Sequence, residues 1–172
     1  MKFRVFARAH LSGRILLGLA ALLGSSFGGT PAALGQGYVL LEFNGTAPGE
    51  GNAMSVAGAG DVNGDGLDDV IVGRPFASPP GVACCYAGRV RVYAGGTGLP
   101  LPGLTLDGTL PGETLGFAVA GAGDVDGDGV GDVLVGTPNA APGGIPGAGQ
   151  ALVLSGATGQ QVPGLAFSGT TS

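Results

Sequence analysis

Oxygen-bearing side chains recur at alternate positions in two glycine-broken stretches of this chain. One carries Asp61, Asn63, Asp65 and Asp69; the other carries Asp124, Asp126, Asp128 and Asp132. Side-chain oxygens at positions 1, 3, 5 and 9 of a loop, with a backbone carbonyl at position 7 (Leu67 or Val130), can wrap one ion. Six to eight oxygen ligands at about 2.3–2.6 Å is the preference of Ca²⁺, whereas Mg²⁺ demands a strict octahedron and keeps its waters. Zinc looks for His or Cys, and neither loop contains one. Two Ca²⁺ sites are therefore expected. Asn63 puts an amide where the second loop has the carboxylate of Asp126, so three charges stand against four and the Asp124 loop is expected to bind more tightly. Without metal, carboxylates ~4 Å apart repel by about 4 kcal/mol at an effective dielectric near 20, which makes the ion structural.

Two other readings of the loops compete. A turn rich in Asp and Gly needs those residues for its backbone alone, but the same ligand spacing is kept in both copies. An EF-hand loop begins in the same way and requires an acid at position 12. That position is Val72 or Val135 here.

The elements that must hold these loops are legible in the repetition around them. AGAGDVNGDGLDDVIVGRP from Ala57 returns as AGAGDVDGDGVGDVLVGTP from Ala120, an offset of 63 residues. Further along, GRVRVYAGGTG from Gly88 matches GQALVLSGATG from Gly149 at an offset of 61, so the segment between Pro75 and Gly88 is two residues longer than its counterpart. Insertions belong in surface loops. Glycine and proline number 38 and 12, yet they punctuate short β-type runs such as DDVIVG and GDVLVG. That pattern predicts an all-β repeat fold.

Four short strands per unit are expected, near 104–107, 117–121, 132–135 and 150–154 in the second copy. Four antiparallel strands at even spacing make a propeller blade; a β-sandwich of two internal repeats is the competing architecture. The unit boundaries are read as 43–105 and 106–166, with a partial unit at 167–172 that supplies the first strand of a third blade. Repeats of this size bury their core by stacking, usually three or more together. Two units and a fraction imply an incomplete propeller, so a truncated chain, a partner that completes the sheet, or self-association through incomplete blades is expected.

LGFAVAGAGDVDGDGVGDVLVGTP, from Leu115 to Pro138, resembles the FG-GAP repeat of integrin α-chain propellers and their bacterial relatives. Gly116-Phe117 stands for the FG and Gly136-Thr137-Pro138 for the GAP. The first copy departs from the pattern, with Ala53-Met54 and Gly73-Arg74-Pro75 at those places, but it matches at every ligand position. The resemblance covers about residues 43–172. It implies blades of a seven-bladed β-propeller with Ca²⁺ in the Asp-rich loops, and it constrains function only loosely, because propellers host many roles.

The N-terminus is basic (MKFRVFARAHLSGR), then apolar (ILLGLAALLG), then rich in small residues up to Gln36. That order predicts a secretory signal peptide over 1–35 and a secreted, extracytoplasmic protein. The apolar run is shorter than the ~20 residues a membrane span takes, and an uncleaved anchor is the alternative. Cleavage there leaves three arginines against twelve acids, a formal charge of −9. Nucleic acid and anionic lipid are bound through Lys/Arg patches, so neither is an expected partner. Cys84 and Cys85 are adjacent, and a vicinal disulfide, intermolecular pairing and free thiols all stay open.

Catalysis is not expected. The one histidine, His10, and the one lysine, Lys2, lie in the leader, which leaves no Ser/His/Asp or Cys/His set. Glu42, Glu50 and Glu113 are scattered rather than paired. The expected function is a secreted calcium-binding repeat module for contact with an extracellular protein or glycan. A remnant of a larger propeller protein and a propeller-based hydrolase are the alternatives. Exposed contacts are assigned to the 76–87 loop, and Arg89, Arg91 and Tyr93, alternating along one strand, to a solvated face.

Overall fold

The computed structural model describes residues 53–82 and 86–170, together with the backbone of 3–9, 15–18 and 38–43. Cys84, Cys85, Glu50 and the cleavage region near Gln36 lie outside the described residues. The elements are β1 (Phe3–Ala9), β2 (Ile15–Gly18), β3 (Tyr38–Phe43), β4 (Ser55–Gly60), β5 (Asp69–Arg74), β6 (Arg89–Tyr93), β7 (Pro100–Asp107), β8 (Ala118–Gly123), β9 (Asp132–Thr137), a 3-10 turn at Pro142–Gly144, β10 (Gln150–Leu154) and β11 (Gln161–Ser168). All strand pairs within the sheets are antiparallel.

Two four-stranded meanders dominate, in the spatial orders β4-β5-β6-β7 and β8-β9-β10-β11. Each is a propeller-type blade. The phase differs from the one read in the repeat. The strand expected to open the second unit closes the first blade as β7, and the one expected to open a third unit closes the second blade as β11. The physical reason is the short connection after β6. Ala94 N–H bonds the Leu99 carbonyl at 2.9 Å, which turns the chain straight back and sets Arg91 opposite Thr105 and Arg89 opposite Asp107. Periodicity gives the length of a repeat and leaves open which hairpin begins it.

Within the segment read as a leader, β1 and β2 belong to a three-stranded sheet of order β2-β1-β3. Phe43 at the end of β3 holds the repeat position of Leu106 in β7, so by sequence β3 corresponds to the fourth strand of a blade.

The strands alternate their side chains between two faces. In the first blade Ile71, Val90 and Val92 point one way and join Val133, Val135 and Leu154 of the second blade in a single core cluster. Each such side chain contributes about 1.5–3 kcal/mol when fully buried, so this interface is the main store of stability. Main-chain bonds reinforce it: Thr114 N–H to the Tyr86 carbonyl at 3.0 Å and Leu115 N–H to that of Ala87 at 2.9 Å. Val119 N–H donates to Ser55 Oγ at 2.9 Å. Gly73 is small for a reason, since a Cβ there would run into the Gly116 carbonyl and lie 3.1 Å from Val119 Cγ1.

On the opposite face of the first blade, Val70, Val72, Tyr93 and Ala53 form a second cluster with Val56 packed on it. Arg89 and Tyr93, expected as solvated strand residues, are buried there. Arg89 forks onto the Asp107 carboxylate with its Nε and Nη2, the latter at 2.8 Å from Oδ2. Arg74 Nη2 donates to the Tyr93 hydroxyl at 3.3 Å. Their partners lie on neighbouring strands, which is why alternation along β6 did not reveal them.

Candidate metal centre

Each acidic loop joins the first two strands of its blade, β4 to β5 and β8 to β9. The two loops share one hydrogen-bond plan. Asp61 Oδ1 accepts from Gly64 N–H at 2.7 Å and Asp65 N–H at 3.1 Å, and its Oδ2 accepts from Gly66 N–H at 2.8 Å. Asp124 does the same for Gly127 at 2.8 Å and Gly129 at 3.0 Å. Gly66 and Gly129 have φ of 86° and 87°, a left-handed turn that L side chains rarely adopt. The glycine lets the chain fold over the first aspartate.

The middle ligand positions brace the loop from inside. Asn63 Oδ1 accepts from Asp65 N–H at 2.8 Å, and Asp65 Oδ1 from Leu67 N–H at 2.9 Å. In the second loop Asp126 Oδ1 accepts from Asp128 N–H at 3.1 Å and Asp128 Oδ1 from Val130 N–H at 2.8 Å. These local bonds are the usual habit of Asx side chains in turns. One carboxylate oxygen from each of Asp124, Asp126 and Asp128 reaches the same small region. Ligand atoms of Asp124, Asp126 and Asp128 lie within 4.8 Å of one another, and all three residues are exposed. An all-oxygen, anionic donor set of that span fits a hard divalent cation.

The ninth-position acids behave differently. Asp132 is fully buried; its Oδ2 accepts from Val125 N–H at 2.8 Å and its Oδ1 from Gly156 N–H at 3.1 Å. Asp69 is likewise buried, accepting from Val62 at 3.0 Å and Gly95 at 2.9 Å, with Asn63 Nδ2 at 3.3 Å. Each therefore latches its loop to the turn that follows the third strand of the same blade. Burial pushes the Asp69 carboxyl above its ordinary value, and the charges of Asp65 and Asp61 add to the rise; the amides of Gly95 and Val62 oppose it. Asp132 stands outside the group of three exposed carboxylates. The N–H groups of Leu67 and Val130 donate to Asp65 and Asp128.

Gly95 and Gly156 hold the two ninth-position acids, and residue type and spacing within the loops do not point to them. Their only sequence signal is the recurrence of a glycine at matching places in the two repeats, Ala94-Gly95 and Ser155-Gly156. Glu113 Oε1 accepts from Thr109 N–H at 2.6 Å, a turn contact with no second carboxylate engaged in it. In the longer 75–88 connection, Phe76 and Tyr86 are exposed and meet edge to face, with ring centroids 5.3 Å apart.

The family model of the FG-GAP repeat matches residues 52–93 and 115–154, one match on each blade. The chain is 40% identical to human integrin alpha-IIb over 101 residues, which is 56% of this chain and 9% of that protein. It is 38% identical to integrin alpha-IIb of Mus musculus over 85 residues, 48% of this chain and 8% of that protein. Integrin alpha pat-2 of Caenorhabditis elegans is 37% identical over 87 residues, 48% of this chain and 7% of that protein. The chain thus spans less than a tenth of the relatives it matches. With two matched repeats, one per blade, and the same loop architecture in both, this chain is an FG-GAP repeat protein.

Proposed function

We propose that the chain is an exported, calcium-stabilised interaction module with no catalysis of its own, which contacts an extracellular protein or glycan. The convergence of Asp124, Asp126 and Asp128 carries this reading. Bound Ca²⁺ would neutralise carboxylates that repel one another and would tie together a loop already folded by its own amides. The loop at 61–69, with Asn63 among its donors, is the second and weaker site. Similarity to integrin α-chains supports an interaction role, and the exposed Phe76 and Tyr86 offer contact surface. Export rests on the basic, apolar, small-residue order of 1–35. Removal of that segment takes β1 and β2 with it and leaves β3 at the head of the mature chain.

Thermal melting with excess Ca²⁺ and with chelator tests the metal. Binding at ~100 times Kd stabilises by about 2.7 kcal/mol, a shift of several degrees in Tm. Equal midpoints in the two conditions overturn the reading. Intact mass of the exported form tests the leader: the expected start lies near Gln36, and retention of Met1 overturns it.

A further inference from the structure

Two residues of the first acidic loop form a reactive pair that the second loop lacks. Asn63 is followed by Gly64, whereas the matching residues of the second loop are Asp126 and Gly127. Asparagine is one of the thermolabile residues. A following glycine, with no Cβ to crowd its nitrogen, removes the main obstacle to attack on the side-chain amide.

The loop leaves this pair open. Asn63 and Gly64 are both exposed, and a Cβ built on Gly64 would meet nothing within 4 Å. The surrounding hydrogen bonds fall on the reacting atoms. Gly64 N–H donates to Asp61 Oδ1 at 2.7 Å, which polarises the nitrogen that attacks. Asp65 N–H donates to Asn63 Oδ1 at 2.8 Å, the oxygen on which addition to Cγ gathers negative charge. The restraint on the leaving nitrogen is its bond to Asp69 Oδ1, long at 3.3 Å. Asn139 makes the contrast. It is exposed too, but Ala140 follows it with a buried side chain, and its Nδ2 donates to Thr114 Oγ1 at 3.2 Å. Asn44 also precedes a glycine, and that pair lies outside the described residues.

We infer that Asn63 is a self-modification site, which loses ammonia in the folded chain and becomes a carboxylate. The Gly64 nitrogen adds to Asn63 Cγ, the Cγ–Nδ2 bond breaks, and the proton of Gly64 leaves with that nitrogen as ammonia. The product is a five-membered succinimide, which water opens. Cleavage of the new bond between Gly64 N and Cγ gives aspartate; cleavage of the original peptide bond gives isoaspartate. One water enters and one ammonia leaves, with no oxidant or cofactor.

The fold has a place for the aspartate, because Asp126 already occupies the matching position. Its Oδ1 accepts from Asp128 N–H at 3.1 Å, beside a Gly127 N–H that donates to Asp124 at 2.8 Å. Conversion therefore gives the first loop the residue pair of the second and one more negative charge. Isoaspartate instead adds a carbon to the main chain between Asp61 and Asp65 and shifts their spacing. The modification goes beyond the calcium reading and needs no metal.

The test incubates the full-length chain with chelator in warm, mildly alkaline buffer. Peptides cut from it at intervals are weighed, and isoaspartate is detected by methylation with protein isoaspartyl methyltransferase. The expected result is a gain of about 1 Da at residue 63, at least tenfold faster than at Asn139. Isoaspartate should appear at the same position, with an unchanged circular dichroism spectrum throughout. Asn63→Gln, whose longer side chain closes a six-membered ring far more slowly, should remove both signals from that peptide. Equal rates at Asn63 and Asn139 would overturn the inference. So would conversion that occurs in urea but not in the folded chain, since the loop would then hold the two groups apart.

Discussion

The two acidic loops fold by one plan and differ at one ligand position. In both, the first acid gathers the amides three and five residues on, and the ninth acid reaches a glycine more than twenty residues away. At the third position Asp126 adds a third carboxylate to the cluster of the second loop, whereas Asn63 spends its amide on Asp69. The first loop thus exchanges a charge for an internal hydrogen bond. The difference separates shaping the loop, which main-chain amides accomplish in both copies, from the proposed attraction of a cation, which would scale with the number of converging charges.

The latch is the feature the loops share, and it should give the largest effect. Asp69→Ala and Asp132→Ala each strip two main-chain N–H groups of their acceptor, and each orphaned buried group costs about 1–3 kcal/mol. Chemical denaturation in chelator should show both variants destabilised by a comparable ~2–6 kcal/mol. A loss at only one of them would break the common plan.

Metal binding should divide the loops. Asp128→Ala is expected to abolish the tighter site, lowering calorimetric stoichiometry from two to one and removing about 2.7 kcal/mol of stabilisation at Ca²⁺ near 100 times Kd. Asp65→Ala in the first loop should leave the tighter site in place. Next in size is the exchange of the differing residue. Asn63→Asp should tighten the first site and Asp126→Asn loosen the second, each by up to about tenfold, or ~1.4 kcal/mol. If calcium titration shows no convergence of the two affinities, the charge at position three is not what separates the loops.

The smallest effect is expected from proton binding. The folded carboxyl of Asp69 holds its proton to higher pH than the ordinary 3.8, chiefly because burial disfavours its charge. The native state therefore binds more protons than the unfolded state between those two values, so stability falls as pH rises through that window. Melting in chelator should show this decline in the wild type and less of it in Asp69→Asn. An equal slope in both would remove Asp69 as its source.

Much of the site could be read from the chain because its geometry is local. Asx side chains bond amides two to five residues on, so the spacing of Asp124, Asp126 and Asp128 already contains the turn. The strands were legible for a similar reason. Runs such as Val70-Ile71-Val72, bounded by Asp and Gly, favour an extended chain buried on both sides. What stayed hidden depends on distant contacts. Arg89 reads as a solvated residue until β7 brings Asp107 beside it, and Tyr93 until Arg74 reaches its hydroxyl. Asp69 and Asp132 read as cation ligands, and nothing in their spacing shows that each also secures a glycine turn elsewhere in its blade.

The repetition that identifies the acidic loops also determined the blade as the building unit, the two-residue excess between Pro75 and Gly88, and the family. Those are properties of spacing, and spacing survives in one dimension. Only the tertiary structure decided which hairpin begins a blade and which residues the two blades bury between them. These depend on pairings between residues far apart in the chain, and such pairings follow from closing loops and stacking sheets rather than from any local period.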